Sequence, residues 1–502
     1  MLHLSIFWIV ILILYLFYDT RKPRNFPRGP IWLPVIGSAL TVKKFRDITG
    51  MFCKAVPAIA AHYRDNRGLL GLKIGKDRIV LTLTSDSLRE FMLNEDLDGR
   101  PMGPFYETRT WNLRRGVLLT DGEFWTEQRR FVVKHLKEFG FARRGMVEII
   151  QNEAEYLYED FYNMVESTRE KAALVKMQGI FSTPVLNTLW VMMAGNRNTR
   201  ENRKLKELQQ LLHKMFTTID MVGCLFSHFP FLRFVAPYAS GYRPFVQTHE
   251  ALFDFLREEV ENHKRTFHPE NEPRDLMDVY IKSILAEGPT SNFTEQQLLA
   301  VCLDLFVAGS ETTNKSISFA FLYLVRKQEL QHRIQKELDA VIGRERKPLL
   351  EDRPNLPLCE AVVLEALRIF MANTLGIAHR ALRSTKLCGF DIPKDTMVVG
   401  LYRGMMMDPK LWKNPEDFDP DRFLCDGKVK IPEYFYPFGL GKHRCMGELL
   451  ARSNLFLFIT TLLQSFCFEV PEGHPLPDDT PIDGATPSIR NYSVIITHRP
   501  RN

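Results

Sequence analysis

One cysteine stands in a setting suited to metal chemistry. Cys445 lies in Pro437-Phe438-Gly439-Leu440-Gly441-Lys442-His443-Arg444-Cys445-Met446-Gly447-Glu448. Two closely spaced glycines allow a tight loop whose backbone can approach a flat ligand. The run that follows, Leu449-Leu450-Ala451-Arg452-Ser453-Asn454-Leu455-Phe456, is apolar at helical spacing. The cysteine therefore sits where a loop enters a helix, and the amide dipoles there, with Arg444, favour thiolate over thiol. A lone thiolate without a CxxC partner makes a poor zinc cage. It suits one axial bond to haem iron, where it pushes electron density onto the metal. The alternative is the fate of most free cysteines, a buried small hydrophobe.

Three further stretches carry polar groups at helical spacing. Trp125 and Arg129 lie four apart in Phe124-Trp125-Thr126-Glu127-Gln128-Arg129-Arg130, on one helix face. Glu365 and Arg368 lie three apart in a helix and can pair, either at the surface or in the core. The third stretch, Ala308-Gly309-Ser310-Glu311-Thr312, sits in a long helix with apolar or small residues at Leu298, Cys302, Leu305, Gly309 and Thr312. Thr294 and Gln297 can form a capping box at its start, with Phe293 stapled onto Leu298. If unbroken, the helix is about 46 Å long and crosses the whole domain. Glycine in its interior costs about 1 kcal/mol relative to alanine. A flat cofactor against the missing side chain would offset that cost; so would close helix packing. Thr312 could serve chemistry, or simply bond the carbonyl one turn back.

The cysteine loop resembles the haem-binding loop of the cytochrome P-450 haem-thiolate monooxygenases, Phe-Gly-x-Gly-x-basic-x-Cys-x-Gly. His443 stands where the family usually has arginine, a replacement the family also shows. The other stretches match family motifs in the family's order, over essentially the whole chain. The resemblance implies that Cys445 is the axial ligand of haem b, within the loop of Phe438. It implies that Arg100, Trp125, Arg129, His379 and His443 contact the haem, chiefly its propionates. Ala308, Gly309, Glu311 and Thr312 become the oxygen-activation segment, with protons arriving past Thr312 and Glu311. Glu365, Arg368 and Arg422 become a buried structural trio. Ala378 replaces a frequent proline in the segment over the haem face. Substrate-pocket candidates are Phe105, Tyr106, Trp111, Phe306 and Leu375. The loop around Ala485 is a further substrate contact.

The implied reaction takes electrons from NADPH, through NADPH–cytochrome P-450 reductase and with cytochrome b5 as a second donor, and uses dioxygen. One oxygen atom enters a lipophilic, steroid- or sesquiterpenoid-like substrate; the other leaves as water. The texture is that of the microsomal type, close to the insect clan with developmental and hormone-metabolising members. A haem-thiolate isomerase would show a disrupted Ala-Gly-x-x-Thr segment, unlike this chain. A non-catalytic haem-binding protein remains an alternative.

The remaining elements position these groups. The chain has 502 residues, a formal charge of +6 and eight scattered cysteines. The mild charge fits a membrane neighbour or an acidic partner and gives no case for nucleic acid. Cysteines without framework spacing read as reduced thiols. Residues 1–20 hold an apolar run followed by Arg21, Lys22, Arg24 and Arg28. By the positive-inside rule this is a transmembrane signal-anchor of the endoplasmic reticulum, with the rest in the cytosol. Residues 21–37 form a basic, proline-rich hinge, and residues 38–502 the haem domain. Residues 69–83 read as a hairpin around Gly75, and 466–470 with 492–497 as the last one. Residues 215–238 are apolar, either core or a lid that dips into the membrane. The expected fold is mainly α with small β-sheets: the cytochrome P-450 fold, a single triangular haem domain behind an N-terminal membrane anchor.

Overall fold

The computed structural model describes residues 7, 8, 11, 14, 16–199, 201–219, 221–288 and 291–500. Much of the expected anchor lies outside the described residues. No described helix is long and apolar enough to cross a membrane. The described part of the run presents Phe7, Trp8, Leu14, Phe17 and Tyr18 to the outside.

The fold is built on one helix, Glu295–Arg326. At 32 residues it is about 48 Å long. Thr294 caps it by accepting the Gln297 N–H. The expected capping box is only half made. The Gln297 side chain leaves the cap, donates to Gly116 and Gln128, and accepts the Gly116 amide at 2.8 Å. The helix packs against Ser182–Ala194, Tyr242–Thr266, Pro357–Ala372 and Glu448–Ser465. Surrounded on all sides, it is buried from Gln297 to Val325 except at Ala308, Gly309 and Thr312.

The rest is helices with small sheets. Leu69–Ile74 and Asp77–Thr82 form the expected antiparallel hairpin. Gly75 turns it at φ +54, where a Cβ would meet the His228 carbonyl oxygen at 2.1 Å. Met397–Val399 then pairs in parallel, and His379–Arg380 closes the sheet. The last hairpin, Phe466–Glu469 with Ser493–His498, also forms. Ala172–Lys176 adds a third strand that the sequence reading lacks.

Two further segments take definite places. The proline-rich connector packs on the domain: Phe26 and Trp32 are buried edge to face, and Gly71 donates to the Arg28 carbonyl at 2.9 Å. The apolar stretch 215–238 divides. Val222 and Phe226 are core, whereas Leu225, Phe231, Phe234, Val235 and Tyr238 are exposed.

His263 and Asp275 tie two helices together at 3.0 Å. Asp275 also caps Leu276–Glu287, while Asp278 pairs with Arg274. Burial lowers the His263 pKa, but the bond and charge of Asp275 outweigh it and leave the ring raised. The stabilisation is thus complete below the ordinary histidine pKa and lost as pH rises through the raised value. His263→Gln is expected to lower Tm more at about pH 6 than at about pH 9. Equal losses at both would contradict this.

Candidate active site

The cysteine loop needs its glycines where it turns. Gly439 and Gly441 hold φ +78 and +71, and a Cβ on Gly441 would stand 2.3 Å from the Met92 carbonyl oxygen. The Cys445 amide donates to Phe438 at 2.9 Å, and the helix Glu448–Ser465 starts after Gly447. The residue keeps open surface, although burial dominates its titration. Both hold for a group that lines an internal cleft. The protein groups alone do not produce the expected preference for thiolate over thiol. Burial raises the thiol's pKa, and the Gly447 amide, Arg129 and Arg444 only partly offset that. Arg444 has turned outward to Glu448, at 2.6 Å. A bound metal would remove the proton outright.

Beside the loop lies a cluster of bases. Arg100 is buried; Nη1 donates to Ala378 at 3.2 Å and Nη2 to His443 Nδ1 at 3.1 Å. Its Nε has no acceptor among the described residues. Burial lowers Arg100 to about 10, a range in which it stays charged at neutral pH. His443 passes its Nε2–H to the Asp98 carbonyl at 2.9 Å, and burial with Arg100 pushes its pKa down to about 3. His379 gives Nδ1–H to Leu97 at 2.8 Å; burial, then Arg100, hold it neutral too. Its ring meets that of His443 at 4.9 Å. Trp125 packs tilted against His443 at 4.3 Å, and the Arg129 guanidinium lies over the indole at 5.4 Å. The indole N–H donates to Val117 at 3.0 Å, so Trp125 offers a face here rather than a donor. Arg129 Nη2 donates to the Arg444 carbonyl at 2.6 Å, and its other donors meet no acceptor among the described residues. Two guanidiniums and an unmatched buried Nε fit a flat group that carries carboxylates.

The break in the burial of the central helix falls on small residues. Ala308 is exposed, and Gly309 and Thr312 are half-buried, in a helix otherwise closed to solvent around them. A Cβ on Gly309 would stand 2.7 Å from the Leu189 side chain. Of the two explanations for that glycine, close helix packing is the one observed; the open side is over Ala308. Thr312 donates to the Ala308 carbonyl at 2.9 Å, which leaves its oxygen free to accept. Glu311 is paired, not free. Lys315 stands 3.0 Å away and His213 3.6 Å. Burial raises the Glu311 pKa, but His213 and Lys315 outweigh it and leave the carboxyl lowered. Lys315 also donates to Thr486 Oγ1 at 2.8 Å, near the expected substrate loop.

Glu365 and Arg368 form a wholly buried bidentate pair, both bonds 2.8 Å. Arg422 adds a third bond at 3.2 Å and the Asp419 amide a fourth at 2.8 Å. Arg368 also holds the Met406 and Asp417 carbonyls. This knot ties the helix Pro357–Ala372 to the chain leading into the cysteine loop.

The pocket candidates do not form one group. Phe105 sits among Tyr106, Phe226 and Phe245, and Trp111 lies 4.2 Å from Phe253. Leu375 is buried and bridged to Leu401. Phe306 is a correction. It packs on Trp190 and Phe255, and two residues from Ala308 is about 200° around a helix, the opposite face. Sequence reasoning missed a buried pair, Arg109 with Asp304. The signal was there: a charge inside Val301-Cys302-Leu303-Asp304-Leu305-Phe306 must find a partner.

A helical domain that presents one cysteine on a glycine loop beside a cation cluster is the frame of a haem-thiolate protein. Residues 27–495 match the Cytochrome P450 family model, and the chain belongs to that family. It is 49% identical over 500 residues to probable cytochrome P450 303a1 of Drosophila melanogaster, covering 99% of each chain. It is 36% identical over 495 residues to farnesoate epoxidase of Bombyx mori, covering 97% of each. Cytochrome P450 18a1 of Drosophila melanogaster is 31% identical over 517 residues, covering all of this chain and 92% of its own. The chain is a monooxygenase that uses haem b and dioxygen on lipophilic substrates.

Proposed function

We propose that Cys445 would ligate the haem iron and that Arg100, Arg129, His379 and His443 would receive the haem propionates, with the Trp125 ring as a wall. The observation that carries this reading is the buried Arg100 guanidinium beside the cysteine loop, with Nε unmatched among the described residues. A bound haem supplies dioxygen activation and insertion of one oxygen atom. The chain's own residues hold, exclude and deliver. Ala308 gives room on the open face of the central helix. Thr312 holds a hydroxyl there, and Glu311, held as a carboxylate by Lys315 and His213, can accept a proton and relay it onward. Glu365, Arg368 and Arg422 keep the ligand loop in place.

Residues 1–20 anchor the chain in the endoplasmic reticulum membrane, residues 21–37 are the docked connector, and residues 38–502 face the cytosol. The exposed Phe231, Phe234, Val235 and Tyr238 support contact between this domain and a membrane. Electrons come from NADPH through NADPH–cytochrome P-450 reductase, with cytochrome b5 as a second donor, to the face of Arg444 and the basic residues Arg130, Lys134, Lys137, Arg143 and Arg144. The substrate is steroid- or sesquiterpenoid-like, and the name of the Bombyx mori relative favours the second.

Turnover of lipid extracts with reductase and NADPH, read by mass spectrometry for a gain of one oxygen, tests the reading. Thr312→Ala is expected to cut product per NADPH by about tenfold or more, while NADPH oxidation continues. Unchanged coupling would remove Thr312 from its role.

A further inference from the structure

Glu311 is 4% exposed, so a proton it hands on must be replaced through a neighbour. Its Oε2 has two partners, and they differ in one respect. Lys315 stands 3.0 Å away, donates to the Thr486 hydroxyl at 2.8 Å and reaches the Thr486 carbonyl at 3.4 Å. Three oxygens thus surround its ammonium, and the residue is 4% exposed. A proton given up there would not be replaced from water. His213 Nδ1 stands 3.6 Å from the same carboxylate oxygen, and its side chain is 35% exposed. Among the described residues it is the partner of Glu311 that meets solvent.

The ring is set for transfer. His213 sits on the helix Arg203–Thr218 and places Nε2 3.4 Å from the amide nitrogen of Gln178. An amide nitrogen only donates, so Nε2 accepts and the ring hydrogen lies on Nδ1, toward Glu311. The 3.6 Å separation exceeds a hydrogen bond. A small turn of the imidazole closes it, in the way relay contacts tighten when a site is loaded. Imidazole is also the side chain that takes and gives a proton near neutral pH.

We propose that His213 is the proton inlet of the site: Nδ1 passes its proton to Glu311 Oε2 while Nε2 takes one from hydronium, which leaves as water. Two bonds to hydrogen break and two form, and the ring ends neutral as it began. Gln178 follows by turning its amide, so that its carbonyl oxygen accepts the new Nε2–H. Exchange with water restores the first tautomer. Lys315 keeps its proton and holds the carboxylate in place. The inlet rests on the role given above to Thr312 and Glu311, and His213 acts through Glu311 without touching substrate.

His213→Gln keeps a polar group beside Glu311 that carries no proton onward. In the haem-loaded protein, with reductase, NADPH and the lipid extract, product per NADPH is expected to fall about threefold or more. Peroxide should rise, and the solvent isotope effect on product formation should grow. Tm and the thiolate band under carbon monoxide should stay as in wild type; a role in helix packing alone would lower Tm and leave the isotope effect unmoved. Labelling of the wild-type protein with diethyl pyrocarbonate, read by mass spectrometry, asks separately whether the ring meets solvent. His213 is expected to be labelled and the buried His249 protected. A protected His213 overturns the proposal, whether or not the variant folds. Unchanged coupling and isotope effect in folded His213→Gln, with Thr312→Ala uncoupled, overturns the inlet alone. No change in either variant removes the relay through Thr312 and Glu311 as well.

Discussion

Glu365→Ala is expected to destabilise the fold by about 3–5 kcal/mol and to yield protein with little or no haem. The carboxylate accepts from Arg368, Arg422 and the Asp419 amide, with no solvent to replace it. Its removal leaves two guanidiniums buried or nearly so, 0% and 7% exposed in their side chains. That cost falls where the chain descends toward the ligand loop, so loop geometry should fail with stability. The midpoint of chemical denaturation and the ratio of Soret to protein absorbance measure both effects. Glu365→Met with Arg368→Leu, which removes the paired charges together, should recover part of the stability. Normal haem content in Glu365→Ala would show that the trio supports nothing at the site.

Cys445→Ser should behave differently. The loop is held by its glycines and by the Cys445 amide bond to the Phe438 carbonyl rather than by the sulfur. The variant is therefore expected to fold with near-wild-type stability. It should lose the thiolate spectrum, and monooxygenase activity should fall by at least about a thousandfold, equivalent to about 4 kcal/mol of barrier. Retained activity would detach the chemistry from this sulfur.

Much of this organisation is legible in the chain because its cues are local. The glycines around Cys445, the cap at Thr294 and the alternation about Gly75 act within a few residues, and the corresponding loop, helix start and hairpin all form. What the sequence hides is set by distant partners. Arg109 finds Asp304 across 195 residues, and the strand Ala172–Lys176 finds its sheet through Ser493–His498. The face of Phe306 was misread for another reason. A helix buried all round has no apolar phase to read, so only the packing shows which side opens at Ala308. Burial raises the Cys445 thiol and Arg444 is engaged by Glu448, so the protein groups alone do not hold the thiolate that a bound metal would produce.

The most direct measurement is the absorption spectrum of the purified, haem-loaded protein reduced under carbon monoxide. A Soret band strongly red-shifted from that of a histidine-ligated haem is the predicted result, the signature of a thiolate ligand. A band at the histidine-ligated position in folded protein would contradict the assignment of Cys445, and with it the account of the site.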